Sequence, residues 1–374
     1  MNLPIEDLQE AMSVCSDIRK ERRSSGAVAA GASDTGWMCA EDAMISIIIP
    51  TRSRTDLLKR AVTSALRQSY KCTEIIIVVD GPDPATESYL LSLNDSRVRY
   101  IQLAAQVGGS EARNIGVRSA LGHWVAFLDD DDAWMPTKLE KQMALARTSG
   151  SRDAVIACKV VGRYPEHEYI WPTRFPNAGE PICEYLFNRK SWFRGEGQIT
   201  TSSLFVSRDL MLSVPFTAGL PKHQDTDWYI RAAAEAATEF LFVEEPLVTW
   251  YLGEQRDSIV RHYDWQRSWS WLLSVRGVLT KRSVAGFIAT QLAGEAAAQG
   301  AAWNAAPFLL RQMFICGKPR VMDIALFVGN CILTPTVRNG LRGALSRSRA
   351  PRPSVVKPDR GTPDRPSQGR QLEF

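Results

Sequence analysis

Short apolar runs alternate with amphipathic stretches from residue 45 onward. Ile45–Ile49 is apolar and β-branched and closes on Pro50, the pattern of a strand buried on both faces. Glu74–Val79 (EIIIVV) repeats it and stops at Asp80, Gly81 and Pro82; Val98–Gln102 and Trp124–Leu128 are a third and fourth run. Between the first two, Leu57, Leu58, Ala61, Val62, Ala65 and Leu66 recur at helical spacing over Thr55 to Gln68. A short helix is expected over Ala85–Leu93. Ser110 is a natural N-cap for a helix reaching about Leu121, and Pro136 suits the first turn of one continuing through Arg147. Strands alternating with helices predict an α/β fold, a mostly parallel sheet covered by helices on both faces.

The rhythm breaks at residues 163–200, rich in aromatics, Pro and Gly, which read as a long loop. Ser203–Val206 is strand-like, a helix is expected from about Thr226 to Ala237, and Phe240–Val243 and Leu247–Leu252 read as two strands. Residues 264–334 read as three or four helices. Beyond Pro335 the chain turns to Arg, Pro, Ser and Gly, a disordered-tail composition. At the other end, Pro4 to Arg23 suits one amphipathic helix and Ser24 to Gly36 a linker. The expected organisation is an extension over 1–43, a catalytic domain over 44–252, a helical region over 253–335 and a basic tail over 336–374.

Composition is that of a globular protein, with 45% hydrophobic and 23% charged residues in 374. The net charge of +4 misleads: the tail from 336 carries +6, leaving residues 1–335 at −2. A slightly acidic body with no reading module makes nucleic acid an unexpected partner. The seven cysteines are scattered without a CxxC pair, which argues against a disulfide framework or zinc site and for a reducing compartment. Acids at 6, 7, 10 and 17 with no apolar core argue against a secretory signal. Ile324 to Thr334 is apolar but too short to cross a bilayer. Followed by Arg338, Arg342, Arg347, Arg349 and Arg352, it suits contact with anionic lipid; a packed helical subdomain with a solvated tail is the alternative. The expected location is cytoplasmic, peripheral at the inner face of the membrane if that contact forms.

Ligands of open α/β sheets bind beyond the carboxyl ends of the strands. Three strands here end in polar signals: Pro50-Thr51-Arg52-Ser53-Arg54, Asp80-Gly81-Pro82-Asp83, and Asp129-Asp130-Asp131-Asp132. Four adjacent carboxylates after a buried strand suit a hard cation such as Mg²⁺ or Mn²⁺, with phosphate completing its shell. A solvated acidic turn is the alternative reading.

The stretches ISIIIPTRSR (45–54), EIIIVVDGPDP (74–84), VGGSEARNIGVRSALGHWVAFLDDDDAW (107–134) and KHQDTDWYIRAA (222–233) occur in this order over a little more than half the chain. Together they resemble the family 2 glycosyltransferases, inverting enzymes of GT-A fold. The resemblance implies a nucleotide-sugar donor, UDP-linked by family frequency, a glycan or lipid-linked acceptor, and polysaccharide or surface-glycan assembly. It implies that Pro50 and Thr51 line the base and that Asp80 contacts base or ribose. Arg113 and Asn114 would lie under the nucleotide. Asp129 and Asp131 match the DXD acids that hold ribose and metal-diphosphate, with Asp131 on Mg²⁺ or Mn²⁺ and Asp130 beside the donor. Asp132 and Trp134 match the acid and aromatic that follow. Asp225 matches the catalytic base, and Trp228 and Arg231 the helix after it. His223, two residues before the base, is a candidate to line the site, as against an ordinary loop histidine. Trp171, Trp192 and Phe193 suit either packing or stacking on an acceptor.

Two departures stand out. The second strand ends in DGPDP where many members have two acids, Gly and Ser, and Gln224 stands where Glu often precedes the base. The competing functions are a nucleotidyltransferase, which would want a Gly-rich triphosphate loop absent from PTRSR, and a non-catalytic scaffold, against which the retained acids argue.

Overall fold

The computed structural model describes residues 44–332, apart from 152–153, 192–194, 235–237, 253 and 255–263. The expected extension (1–43), the basic tail (336–374), Trp192 and Phe193 lie outside the described residues. Nine strands form one sheet: β1 (Ile45–Thr51), β2 (Thr73–Val79), β3 (Val98–Gln102), β4 (Trp124–Phe127), β5 (Asp132–Trp134), β6 (Ala154–Arg163), β7 (Glu168–Trp171), β8 (Phe205–Ser207) and β9 (Glu239–Tyr251). Their order is β3-β2-β1-β4-β8-β6-β9-β5, with β7 paired to β6. The half from β3 to β4 is parallel throughout, with Ile45 opposite both Thr73 and Trp124. In the other half β8, β7 and β5 join antiparallel while β6 and β9 run parallel, so the sheet as a whole is mixed.

The helices between these strands are α1 (Thr55–Leu66), α2 (Pro84–Leu91), α3 (Gly109–Ser119), α4 (Lys138–Ser149), α5 (Ile182–Phe187), α6 (Arg208–Ser213) and α7 (Gln224–Ala234). The period of two in each strand divides its side chains between two cores. Ile45, Ile47, Ile49, Ile75, Ile77 and Val79 pack with Leu58 and Val62 of α1 and Leu139 and Met143 of α4. Ile48, Ile76, Val78, Val125 and Phe127 pack with Val117 of α3 and Trp228 and Tyr229 of α7. Burial on both faces is why these strands read as continuous apolar runs.

A third core belongs to the helical region: α8 (Trp265–Ser274), α9 (Lys281–Phe287), a π-helical segment (Ile288–Leu292), α10 (Ala293–Ala298), α11 (Ala302–Ile315) and α12 (Val321–Ile332). Phe287, Leu292, Leu309 and Phe327 meet there with Phe187 of α5 and Ile230 of α7. Trp271 is part of this core, and Trp265 and Trp269 pack on Phe308, so their helical spacing marks packing.

Three strands go beyond the sequence expectation. AVIACKVVGR is β6, an apolar run as clear as β2. The expected long loop contains β7 and α5, and half of the acidic run folds into β5 opposite β9. The two strands expected at 240–243 and 247–252 are one strand, β9, with the register to β6 shifting around Lys159 opposite Pro246. Proline interrupts the ladder without ending the strand. Cys158, Cys183, Cys316 and Cys331 are free thiols, whereas Cys72 is disulfide-bonded, against the expectation from scattered cysteines.

Helix α3 approaches β1 so closely that a Cβ on Gly116 would lie 2.5 Å from Cγ2 of Ile48, itself fully buried. Gly116→Val is expected to lower stability by about 1–3 kcal/mol through overpacking, measured by urea denaturation.

Candidate active site

The carboxyl ends of β1, β2 and β4 open into a cleft of about 2260 Å³ that holds Pro50, Thr51, Asp80, Arg113, Asp129–Asp132 and Asp225 together. Its far wall comes from Trp171, Trp250 and the helical region, through Gln291, Glu295 and Ala298.

Each of the four adjacent acids has its own partner. Asp129 takes a 2.5 Å hydrogen bond from Arg113 Nη2. Asp130 accepts from the Thr51 hydroxyl at 2.8 Å and from Arg54 Nη1 at 3.3 Å. Arg54 also reaches Asp131 at 3.4 Å, and Arg60 of α1 donates to the Asp131 carbonyl at 2.7 Å. Asp132 accepts from the Ser202 hydroxyl at 2.6 Å. Ser202 also receives the Asp129 N–H on its hydroxyl and the Trp134 indole N–H on its carbonyl, so one serine knits three positions of the run. Burial, then the neighbouring Asp131 charge, pushes the Asp130 carboxyl up to about 6 despite Arg54 and Thr51. Asp130 therefore resists ionisation where its neighbours are the charged groups.

Asp225 stands in the first turn of α7. Burial raises its carboxyl above the ordinary range, the Thr226 N–H and Arg113 oppose that shift, and Asp129 adds to it. Arg113 is buried, which works against its charge, but Asp129 and Asp225 outweigh that and hold it protonated. Gln224 accepts from Arg113 at 3.0 Å and donates to the Leu220 carbonyl at 2.7 Å. The glutamine thus keeps the Arg113 contact without adding a third carboxylate. One turn on, Tyr229 is fully buried, its hydroxyl has no hydrogen-bond partner, and the Asp225 and Asp129 charges raise it further.

The base is anchored from behind. His223 adopts φ +63°, stacks on Trp271 at 4.5 Å and shares a 2.8 Å hydrogen bond with Ser268. Burial, then Lys222, lowers its imidazole to about 3, so it stays neutral. Ser268 donates to Glu295, and Lys222 and Gln291 converge on the same carboxylate. Asp227 binds Thr217, Arg231 and the Trp271 indole, fixing α7 against α8.

Other sequence candidates sit less directly in the cleft. Asp80 lines it, but both carboxylate oxygens accept backbone N–H groups, from Val107 at 2.7 Å and Gly108 at 3.0 Å. It shapes the turn before α3, where Gly108 takes φ +90°. Asn114 is not brought into the cleft: its side chain exchanges two 2.9 Å hydrogen bonds with the backbone of Phe216. Trp134 is core, under Lys138. Trp228 is buried with its indole on the Val214 carbonyl. Arg231 is held by Asp227. Trp171 lines the cleft and packs so tightly that a Cβ on Gly162 or Gly195 would overlap its ring. Ser202, Asp227, Glu295 and the Arg60–Glu254 pair stacked on Tyr251 were not anticipated, because serine, a second acid in a helix and remote ion pairs carry no local signature.

Among the described residues no group of three or more His, Cys, Asp or Glu is arranged to hold a metal ion. The donors present still fit one. Mg²⁺ and Mn²⁺ sites that act on phosphates commonly use one or two carboxylates and let the substrate complete the shell, and Asp129 and Asp131 both face the cleft.

Residues 46–212 match the model of Glycosyl transferase family 2. The amylovoran biosynthesis glycosyltransferase AmsB of Erwinia amylovora is 26% identical over 294 residues, 76% of this chain and 94% of that protein. The Escherichia coli UDP-Glc:alpha-D-GlcNAc-diphosphoundecaprenol beta-1,3-glucosyltransferase WfgD is 31% identical over 105 residues, 28% of this chain and 42% of that protein. The crystal structure of S. aureus TarS 1-349 in complex with UDP-GlcNAc superposes with a TM-score of 0.53 at 14% identity, covering 80% of this chain and 92% of that one. That likeness establishes the fold.

Two outcomes test the site's geometry. Asn114→Ala orphans the Phe216 N–H and C=O and is expected to cost about 1–3 kcal/mol of stability with nucleotide affinity unchanged. Calorimetric titration would show otherwise if affinity fell while the melting point held. Asp130 binds its proton more tightly folded than unfolded, so it stabilises below pH 3.8 and loses that contribution as pH rises through about 6. Asp130→Asn is therefore expected to gain on wild type by about 3 kcal/mol between those limits, read from paired thermal melts.

Proposed function

We propose that this chain, which belongs to glycosyl transferase family 2, moves a sugar from a nucleotide-diphosphate donor to a hydroxyl of a glycan or lipid-linked acceptor, with inversion and with Asp225 as general base. The observation that carries the reading is the placement of Asp225: a carboxylate with a raised proton affinity, in the same cleft as the acidic run and within the field of Arg113 and Asp129. In an inverting displacement the acceptor oxygen attacks the anomeric carbon as its proton passes to the base. The bond to the diphosphate breaks on the opposite side, and no sugar–enzyme bond is needed. A base with raised affinity takes that proton more readily, provided it is ionised at the working pH. Arg113 opposes the burial that would otherwise keep Asp225 neutral.

Nucleotide contacts are assigned to Pro50, Thr51, Asp80, Arg113, Asp129 and Asp130, with Asn114 acting through the Phe216 backbone. Mg²⁺ or Mn²⁺ held by Asp131, with Asp129, would supply a Lewis acid for the charge that develops on the leaving diphosphate. A UDP-linked donor is supported by WfgD, whose name specifies UDP-Glc. A role in polysaccharide biosynthesis is supported by AmsB, matched over most of both chains.

The test is release of nucleoside diphosphate over a panel of nucleotide sugars. Asp225→Asn is expected to lower kcat by about 10²–10⁴-fold while donor binding persists. Because the base acts ionised, wild-type kcat/KM rises with pH along an acid limb above the 3.8 of an ordinary aspartate. Transfer that survives Asp225→Asn would remove the assignment.

A further inference from the structure

The helical region carries a surface that neither the cleft nor the core uses. Helix α11 turns Ala302, Ala305, Leu309 and Met313 inward. Its outer side is also apolar: Trp303 is 72% exposed, Phe314 57% and Ile315 59%. Helix α12 repeats the pattern, burying Leu326, Phe327 and Asn330 and exposing Val321 (85%), Val328 and Ile332 at helical spacing. Outer faces of helices on a water-facing surface are ordinarily polar, and large exposed apolar patches mark interaction sites.

The charges around this surface have one sign. Arg311, Lys318 and Arg320 are exposed. The one acid between residues 300 and 332, Asp323, is buried and accepts the Arg320 N–H. The sequence that follows has no acid until Asp359, while supplying Arg338, Arg342, Arg347, Arg349, Arg352 and Lys357.

We propose that the outer faces of α11 and α12, with their flanking cations, dock on an anionic lipid bilayer. Large apolar side chains interspersed with Arg and Lys, and free of exposed acids, are the make-up of a helix that lies in the interface plane. A second copy of the chain is disfavoured because it would bring cations against cations. Insertion across the bilayer is disfavoured as well, because no helix among the described residues is long and apolar enough to cross it. Helix α10, which precedes α11 directly, supplies Gly294, Glu295 and Ala298 to the cleft wall. Docking would therefore hold the cleft near the lipid surface. The inference does not rest on the proposed reaction, since binding is measured without donor or acceptor.

The test is co-sedimentation of the full chain with vesicles of phosphatidylethanolamine and phosphatidylglycerol, against vesicles of phosphatidylcholine alone. Binding to the anionic vesicles is expected to exceed binding to the neutral ones by about tenfold or more, and to fall in about 0.5 M salt. Trp303→Glu with Phe314→Glu, and separately Arg311→Glu with Lys318→Glu and Arg320→Glu, are each expected to lower it by at least about tenfold. Melting points should be unchanged, because all five side chains are exposed. Equal sedimentation of wild type and variants would overturn the proposal. So would wild type staying in solution, or a concentration-dependent dimer in light scattering that Trp303→Glu abolishes.

Discussion

Repulsion among four consecutive carboxylates at the end of a buried strand is the constraint around which the cleft is organised. In the low-dielectric floor of a sheet such charges cannot be left unanswered. The chain separates them by folding the run: Asp132 leaves as the first residue of β5, while Asp129 stays against α3. Arg113, Arg54 with Thr51, and Ser202 then take different members. Asp130, the most enclosed, answers by holding its proton. What remains facing solvent is a pair of acids, Asp129 and Asp131, spaced by a third that is turned away.

The same arrangement links the acidic run to the helix that carries Asp225. Arg113 touches Asp129 and Gln224 directly and acts on Asp225 through its field. Behind α7, Lys222, His223, Ser268 and Glu295 form a buried polar chain into the helical region. The entry of α7 is therefore fixed from both sides. The helical region is part of the catalytic architecture, since it buttresses the segment on which the reacting carboxylate sits.

Much of this was legible in the sequence where one physical cause acts locally. The strands buried on both faces had to be apolar runs, and polar residues at their carboxyl ends had to face the cleft. Asp225, Arg113 and Asp129 were found by motif, and the structure brings them together. Asn114 was misplaced for an instructive reason: adjacent residues on a helix point about 100° apart, so Arg113 enters the cleft and its neighbour turns to Phe216. Ser202 and Glu295 were invisible, because their roles come from contacts across 70 or more positions in the case of Asp132 and 73 in the case of Lys222. Strand β5 was hidden because three residues beginning with an acid look like a turn until β9 pairs with them.

The π-helical segment at Ile288–Leu292 has a consequence for how this chain tolerates length changes. A π turn holds one more residue than an α turn and acts as a local insertion. It sits between the packed face of α9 and the turn bearing Glu295, which must meet Lys222, Ser268 and Gln291 at once. Removing one residue there would restore regular α-helix and rotate all that follows by about 100°. Glu295 would swing off its three partners, and α11 and α12 would turn with it. The helical region is thus phased to the catalytic domain by a single residue of slack, a dependence on count rather than on composition.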